Sequence, residues 1–365
     1  MKQVLELAAL GRGHTSPNPM VGAVVLDAYG QVVGTGWHQG PGLAHAEVVA
    51  LDQAGERARG GTLYVNLEPC SHHGRTPPCA DRVIRSGVRR VVAAMTDPNP
   101  LVCGQGFRRL QAAGVEVTTG VLEKEARLLN RAFVTWITQK RPYVTLKLAQ
   151  SLDGKAATHA GESQWITSAE ARDHAHRVRS QVDAIAVGIG TALADDPLLT
   201  ARPGGALAAR QPVRLVIDNH ARLSTSARCL FAPGGPTWVA VSRRAPAERI
   251  KALETAGAQV WVNPGDDDRV DLVALLQYLA AQQITHLLVE GGPTLAGSFV
   301  DLGLVDEVHA YIAPLLIGGR GALPSVGGSG RPRLDQALTL VDTGCERVGP
   351  DFFVYGRTPR PYLGD

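Results

Sequence analysis

Apolar and polar positions alternate along the chain in short segments of helical or strand period. Residues 2–10 read as a short amphipathic helix. Thr15-Ser16-Pro17-Asn18-Pro19 is a turn, because two prolines flank a residue at ease outside helix and strand. The apolar runs 20–27 and 31–37 flank Tyr29-Gly30 and predict a hairpin. A helix over 46–59, a strand over Thr62–Leu67, a helix from about Ala80 to Ser86 and a strand over Arg90–Met95 come next. Beyond these the pattern predicts a helix near 106–113, a short strand over 115–118 and a longer helix over 123–138. Such alternation of β and α elements implies a layered α/β sandwich.

Lys140-Arg141-Pro142 closes this region, since proline forbids continuation of the helix before it. Strand-like runs then recur at 143–149, 184–187, 213–217, 237–241, 259–262, 285–289, 307–312 and 352–355, with helical stretches between them. They predict a largely parallel sheet with helices on both faces. At 365 residues the chain is long for one domain, and two are expected, over 1–140 and 141–365.

Composition narrows the class. A hydrophobic content of 44% with 19% charged residues suits a globular protein able to bury a core. The net charge of +3, without basic blocks, gives no extended nucleic-acid footprint. The five cysteines are Cys70, Cys79, Cys103, Cys229 and Cys345, a scatter that suits a reducing cytosol better than a disulfide framework. The run 4–10 contains Glu6 and is stopped by Gly11-Arg12-Gly13, which makes it a poor signal peptide. No stretch of 18 apolar residues occurs, so a soluble cytoplasmic protein without a membrane partner is expected.

The chemistry concentrates between His45 and Cys79. The chain reads His45-Ala46-Glu47, then Glu68-Pro69-Cys70, then Cys79. One imidazole and two thiolates suit zinc with a fourth position left open, although iron fits the same donor set. Glu47 is not needed as a ligand. His-x-Glu followed by Pro-Cys and a second cysteine is the signature of zinc-dependent nucleobase deaminases, in which the metal activates a water and the glutamate moves protons. In mid-helix an offset of two residues means about 200° of rotation. The mouth of a helix is where His45 and Glu47 can still converge. The competing reading is a closed structural site with His72 or His73 as fourth ligand; it leaves Glu47 without a task. His72, His73 and Arg75 in the loop between the cysteines either present cations to an anionic ligand or face solvent. Asn18 either bonds a sugar or base edge or simply forms its turn.

In the second half Gly188-Ile189-Gly190 lacks the third glycine of a dinucleotide fingerprint. Glu290-Gly291-Gly292-Pro293-Thr294 lies after the strand 285–289 and opens a helix over 295–302, so it reads either as a phosphate-binding turn or as a tight strand-to-helix connection. Arg243 and Arg244 either hold a ribose 2′-phosphate or form a solvated surface pair.

TSPNPMVGAVV, GWHQGPGLAHAE, LEPCSHHGRTPPCADRV and DPNP closely resemble the bifunctional pyrimidine deaminase/reductase family of riboflavin biosynthesis. RPYVTLKLAQSLDGKAAT, GESQWIT, LADDPLLTAR and VEGGPTLAGS extend the resemblance over nearly the whole chain. It implies a cytidine-deaminase-like three-layer N-terminal domain that removes the 2-amino group of a phosphoribosylated diaminopyrimidinone. It also implies a dihydrofolate-reductase-like C-terminal domain that uses NADPH to reduce the ribose of the product to ribityl. The family's zinc ligands fall on His45, Cys70 and Cys79, and its proton donor on Glu47. NADP positions fall on Ala149, Ser163, Trp165, Thr191, Asp195, Asn219 and the run Gly291, Gly292, Pro293, Thr294, Leu295, Ala296; a hydroxyl residue is common in place of Asn219. Substrate positions fall on Arg179, Leu198, Arg202 and Glu290, with Lys147 and Asn18 as further candidates. Arg179 and Arg202 are expected to grip phosphate in bidentate fashion. The substrate is a phosphorylated pyrimidine, and the family suggests a homodimer.

Overall fold

A computed structural model describes residues 1–71, 78–100 and 102–365. The chain forms two compact units, Met1–Lys140 with Pro361–Asp365, and Arg141–Arg360. The last five residues therefore belong to the first unit.

In the first unit α1 (Lys2–Ala9) precedes the hairpin β1 (Gly22–Leu26) and β2 (Val32–Trp37), then α2 (Ala46–Ala54) and β3 (Thr62–Leu67). After these come α3 (Cys79–Ser86), β4 (Arg90–Met95), α4 (Gln105–Ala112), β5 (Glu116–Thr118), α5 (Glu123–Leu129) and α6 (Arg131–Gln139). Among the described residues the sheet order is β2-β1-β3-β4-β5, antiparallel on the hairpin side of β3 and parallel from β3 to β5. Side chains alternate across a strand. Ala23, Val25, Leu63, Val65, Val91 and Ala93 accordingly face one core with α2, α3 and α4. Val24, Val92 and Ala94 are buried on the other face, where α1 and α5 pack. The result is a three-layer sandwich.

Two predicted helices are shorter than the apolar pattern suggests. The helix expected over 46–59 ends at Ala54, because Gly55 takes a positive φ of 54° and the chain tightens into a 3-10 turn over Gly55–Ala58. The helix expected over 123–138 breaks at Asn130, whose carboxamide turns inward. Its Oδ1 accepts the Met20 N–H at 2.7 Å and its Nδ2 donates to Met20 O at 2.9 Å. Asn66 adds a bond from Nδ2 to Met20 O (2.9 Å) and accepts the Gly22 N–H (2.8 Å). Two amides thus hold the backbone where the Pro17-Asn18-Pro19 turn enters β1.

The second unit opens with β6 (Tyr143–Ser151) and β7 (Lys155–Ala157), then α7 (Ala169–Arg179), β8 (Ala184–Gly188), α8 (Ile189–Asp195) and β9 (Val213–Ile217). It continues with α9 (Arg228–Phe231), β10 (Thr237–Val241), α10 (Ala247–Thr255), β11 (Gln259–Val262), α11 (Leu272–Ala281) and β12 (His286–Val289). It ends with α12 (Pro293–Asp301), β13 (Glu307–Ala313), β14 (Leu323–Pro324), β15 (Val341–Val348) and β16 (Asp351–Arg357). The main sheet runs β11-β10-β9-β8-β12-β6-β13-β16-β15 among the described residues. It is parallel from β11 to β13 and antiparallel through β16 and β15. The antiparallel edge strand β15 had no signal in the apolar pattern, because its side chains are half-buried or exposed throughout. Leucines of α11 and α12 fill one face and residues around α8 and α10 the other.

Candidate metal centre and reductase site

His45 is the N-cap of α2, and its extended backbone (φ −72°, ψ 158°) takes it off the helical rotation that would separate it from Glu47. Cys70 follows β3 by way of Glu68-Pro69, and Cys79 is the first residue of α3. The three residues thus arrive from a strand end and two helix starts, where the helix dipoles favour thiolate. His45 Nδ1 lies 3.0 Å from the Cys79 sulfur and 3.7 Å from the Cys70 sulfur. All three donor atoms lie within 4.8 Å of one another. A tetrahedral zinc, with bonds of about 2.0 Å to nitrogen and 2.3 Å to sulfur, sets such neighbours about 3.5–3.8 Å apart. The donor set fits the ion: the His45–Cys70 separation is already at this value, and the closer His45–Cys79 pair opens by about 0.5 Å to reach it.

The Cys79 thiol hydrogen-bonds Cys70 and is the main cause that brings Cys70 down to about 4; the same bond pushes Cys79 up. Glu47 is 3% exposed. Burial pushes its carboxyl up to about 7, with the Cys70 thiolate adding to the push. His72, His73 and Arg75 lie outside the described residues.

Asn18 reaches toward this centre through a residue that sequence reasoning passed over. His38 is buried, its Nδ1 facing Ala44 O at 3.2 Å and its Nε2 facing the Asn18 Nδ2 at 3.1 Å. Since Ala44 O only accepts, the proton sits on Nδ1 and Nε2 accepts from Asn18. Burial lowers the His38 pKa, which favours the neutral ring. The Asn18 carboxamide is therefore oriented with its Nδ2 toward His38.

In the second unit the candidates gather at the carboxyl ends of the adjacent strands β9, β8, β12 and β6, where open parallel sheets bind ligands. Asn219 follows β9, Thr191 and Asp195 lie on α8 after β8, Gly291 to Ala296 lead from β12 into α12, and Ala149 lies on β6. The Gly292 N–H donates to Thr191 Oγ1 (3.0 Å), and Ser163 Oγ faces Asp195 Oδ1 (3.5 Å). A Cβ at Gly291 would lie 2.7 Å from the Leu295 side chain, so the glycine is required by packing at this strand-to-helix turn. Pro293 starts α12, where its missing N–H costs nothing. Asn219 Oδ1 accepts the Val270 N–H at 3.0 Å. Trp165 is 68% exposed, with the Arg172 guanidinium 4.4 Å from its ring centre. Arg243 pairs with Asp266 at 3.0 Å on the surface.

The expected grip of Arg179 on phosphate meets a different geometry. Its Nε donates to Glu290 Oε1 (2.8 Å) and its Nη2 to Glu290 Oε2 (2.5 Å), while Nη1 reaches Thr200 O (3.2 Å). The fork is spent inside the protein. Burial alone would raise Glu290, but the Arg179 charge overrides it and holds the carboxyl near 2. Arg202 bonds the Thr200 hydroxyl through Nη1, and its backbone N–H donates to His176 Nδ1 at 3.2 Å. Burial together with Arg179 and Arg202 lowers His176 to about 4. Lys147 is half-buried beside this group, 5.7 Å from the centre of the Tyr311 ring, and desolvation lowers its pKa. Leu198 is half-buried on the segment between α8 and Arg202.

Residues 1–95 match the cytidine and deoxycytidylate deaminase zinc-binding region, and residues 142–354 match the RibD C-terminal domain. The riboflavin biosynthesis protein RibD of Aquifex aeolicus is 45% identical over 97% of this chain and 96% of its own length. The chain belongs to the RibD family. The Escherichia coli RibD is likewise 45% identical, over 96% of each chain. Acinetobacter baumannii RibD superposes with a TM-score of 0.87 at 37% identity and 98% coverage of both chains. A Thermotoga maritima structure described as a diaminohydroxyphosphoribosylaminopyrimidine deaminase/5-amino-6-(5-phosphoribosylamino)uracil reductase does so at 0.84, with 35% identity and coverage of 98% and 97%. Family membership accounts for a zinc-binding deaminase fold and a reductase fold in one chain. In this RibD-family member, the His38 bridge and the Arg179–Glu290 pair were the features that sequence reasoning missed. The pair joins residues 111 apart and leaves no local signal.

Proposed function

We propose that the chain carries out two consecutive steps of riboflavin biosynthesis, hydrolytic deamination of a phosphoribosylated diaminopyrimidinone and NADPH-dependent reduction of the ribose of its product. The observation that carries the reading is the convergence of His45, Cys70 and Cys79 beside the buried carboxyl of Glu47.

In the first unit His45, Cys70 and Cys79 would hold zinc. A bound zinc supplies the Lewis acidity that makes water nucleophilic near neutral pH. Glu47, poised near 7, takes a proton from the attacking water and gives it to the ring nitrogen, then carries the proton of the new C2 hydroxyl to the departing amino group. The exocyclic C2–N bond breaks, a C2 carbonyl between two ring nitrogens replaces it, and water and substrate balance as the uracil-type product and ammonia. Asn18, steered by His38, offers its Oδ1 to a ring or amino N–H of the substrate. The experiment is Glu47→Ala: zinc content stays, ammonia release collapses, and reduction of supplied deaminated substrate continues. Retained deamination would remove Glu47 from its role.

In the second unit the glycine turn and the start of α12 present backbone N–H groups to a cofactor phosphate, flanked by Thr191, Ser163, Asp195, Asn219, Trp165 and Ala149. NADPH supplies the reducing equivalent. Glu290, pinned by Arg179, is aimed at sugar hydroxyls, and Lys147 lies within the same half-buried polar group. Arg202 is the cation assigned to the substrate phosphate, with Leu198 beside it. A cytoplasmic homodimer without nucleic-acid partners completes the reading; light scattering of the purified chain checks the dimer.

A further inference from the structure

Glu68 stands at the end of β3, two residues before Cys70, and is 3% exposed. A buried carboxylate is costly unless hydrogen bonds compensate it. Its Oε2 accepts the N–H groups of Asp97 (3.1 Å) and Gly104 (2.9 Å). Its Oε1 accepts those of Gly106 (2.7 Å) and Phe107 (3.4 Å). Gly104 is the N-cap of α4, and Gly106 and Phe107 lie in its first turn. Glu68 thus satisfies the orphan donors that a helix start leaves, a task usually done by the helix's own N-cap side chain.

The contact is close enough to fix position. A Cβ on Gly106 would fall 2.0 Å from Pro69 O and 3.1 Å from Glu68 Cγ, so the backbone of α4 lies directly against the residue before Cys70. One turn further along α4, Arg109 donates from Nη1 to Ser71 O (3.3 Å) and pairs with Asp81 at 2.7 Å. Asp81 is in the first turn of α3, the helix that begins with Cys79. One helix therefore braces the backbone before Cys70, the backbone after it, and the element that carries the second sulfur.

We propose that Glu68 is a positioning residue for the metal centre: by capping α4 it fixes the backbone on both sides of Cys70 and so the direction of its sulfur. The inference rests on the reading of His45, Cys70 and Cys79 as metal ligands. Glu68→Gln tests it, because a carboxamide keeps the size but turns an N–H₂ toward two of the backbone donors. The readout is the absorption spectrum of the cobalt(II)-loaded full chain, together with the rate of cobalt transfer to a chelator. The parent chain gives sulfur-to-cobalt charge-transfer and tetrahedral d–d bands; their absence overturns the ligand reading and this inference with it. With those bands present in the parent, Glu68→Gln shifts them and weakens the metal about 10- to 100-fold, the usual loss when support around a ligand is removed. Reduction of supplied deaminated substrate stays at the parent rate. Gly106→Ala, which keeps the carboxylate but drives α4 off Pro69, gives the same spectral change and carries the test if Glu68→Gln does not fold. Val91→Ala, a truncation in the same core, lowers stability without moving the bands. Parent-like spectra and transfer rates in the two site variants, or the same band shift in Val91→Ala, overturn the proposal.

Discussion

At the scale of single residues, two arginines of the same type on neighbouring segments differ in what remains for a ligand. Arg179 spends both arms of its fork on Glu290, whereas Arg202 holds one hydroxyl of its own neighbourhood. Arg202→Ala is expected to raise the KM of the reduction about 10- to 100-fold, the loss of a charge-assisted hydrogen bond of about 1.5–3 kcal/mol, while ammonia release is unaffected. Unchanged KM for the reduction sinks the assignment. His176 gives a pH signature. Its folded pKa of about 4 lies below the ordinary value of 6.5, so between these values the unfolded chain binds the proton more readily. The stability it contributes is whole above about pH 6.5 and is lost as pH falls toward 4. Thermal midpoints measured from pH 7 to pH 4.5 should fall more steeply for the parent than for His176→Asn; parallel curves count against it. The cluster of His45, Cys70 and Cys79 was legible because histidine and cysteine have few other reasons to recur at that spacing. The Arg179 partner was not, because it is chosen by tertiary approach.

At the scale of elements, the apolar period located most strands to within a residue or two, and it misjudged helix ends. Residues 123–138 have an unbroken helical period, but Asn130 leaves the helix to bond both backbone groups of Met20. A local pattern carries no trace of a partner 110 positions away. Asn130→Ala should restore a continuous helix at the cost of the Met20 N–H, which loses its acceptor while Met20 O keeps the bond from Asn66 Nδ2, a loss of about 1–3 kcal/mol. Denaturant midpoints of the metal-loaded chain read this directly, and a neutral or stabilising result would show that water replaces the amide. Strand β15 was invisible for the opposite reason: an exposed edge strand needs no apolar face, so its eight residues alternate nothing.

At the scale of the whole molecule, each unit has its own buried cluster, and an ionic tie gathers both ends of the second. Asp306, fully buried, accepts Arg141 at 2.5 and 2.7 Å, Arg360 at 2.8 Å and the Val144 N–H at 2.9 Å. Arg141 and Arg360 are the first and last residues of that unit, so one carboxylate marks where the chain enters and leaves it. Past Arg360 the remaining five residues pack with the first unit, where Leu363 is fully buried and Tyr362 O lies 3.5 Å from Arg127 Nη1. In sequence terms the reductase is therefore an insert, and the deaminase closes over its own last leucine. Clipping those five residues should lower the rate of ammonia release and leave the reduction alone. A gene cut at position 140 to liberate a minimal deaminase would be missing its stopper.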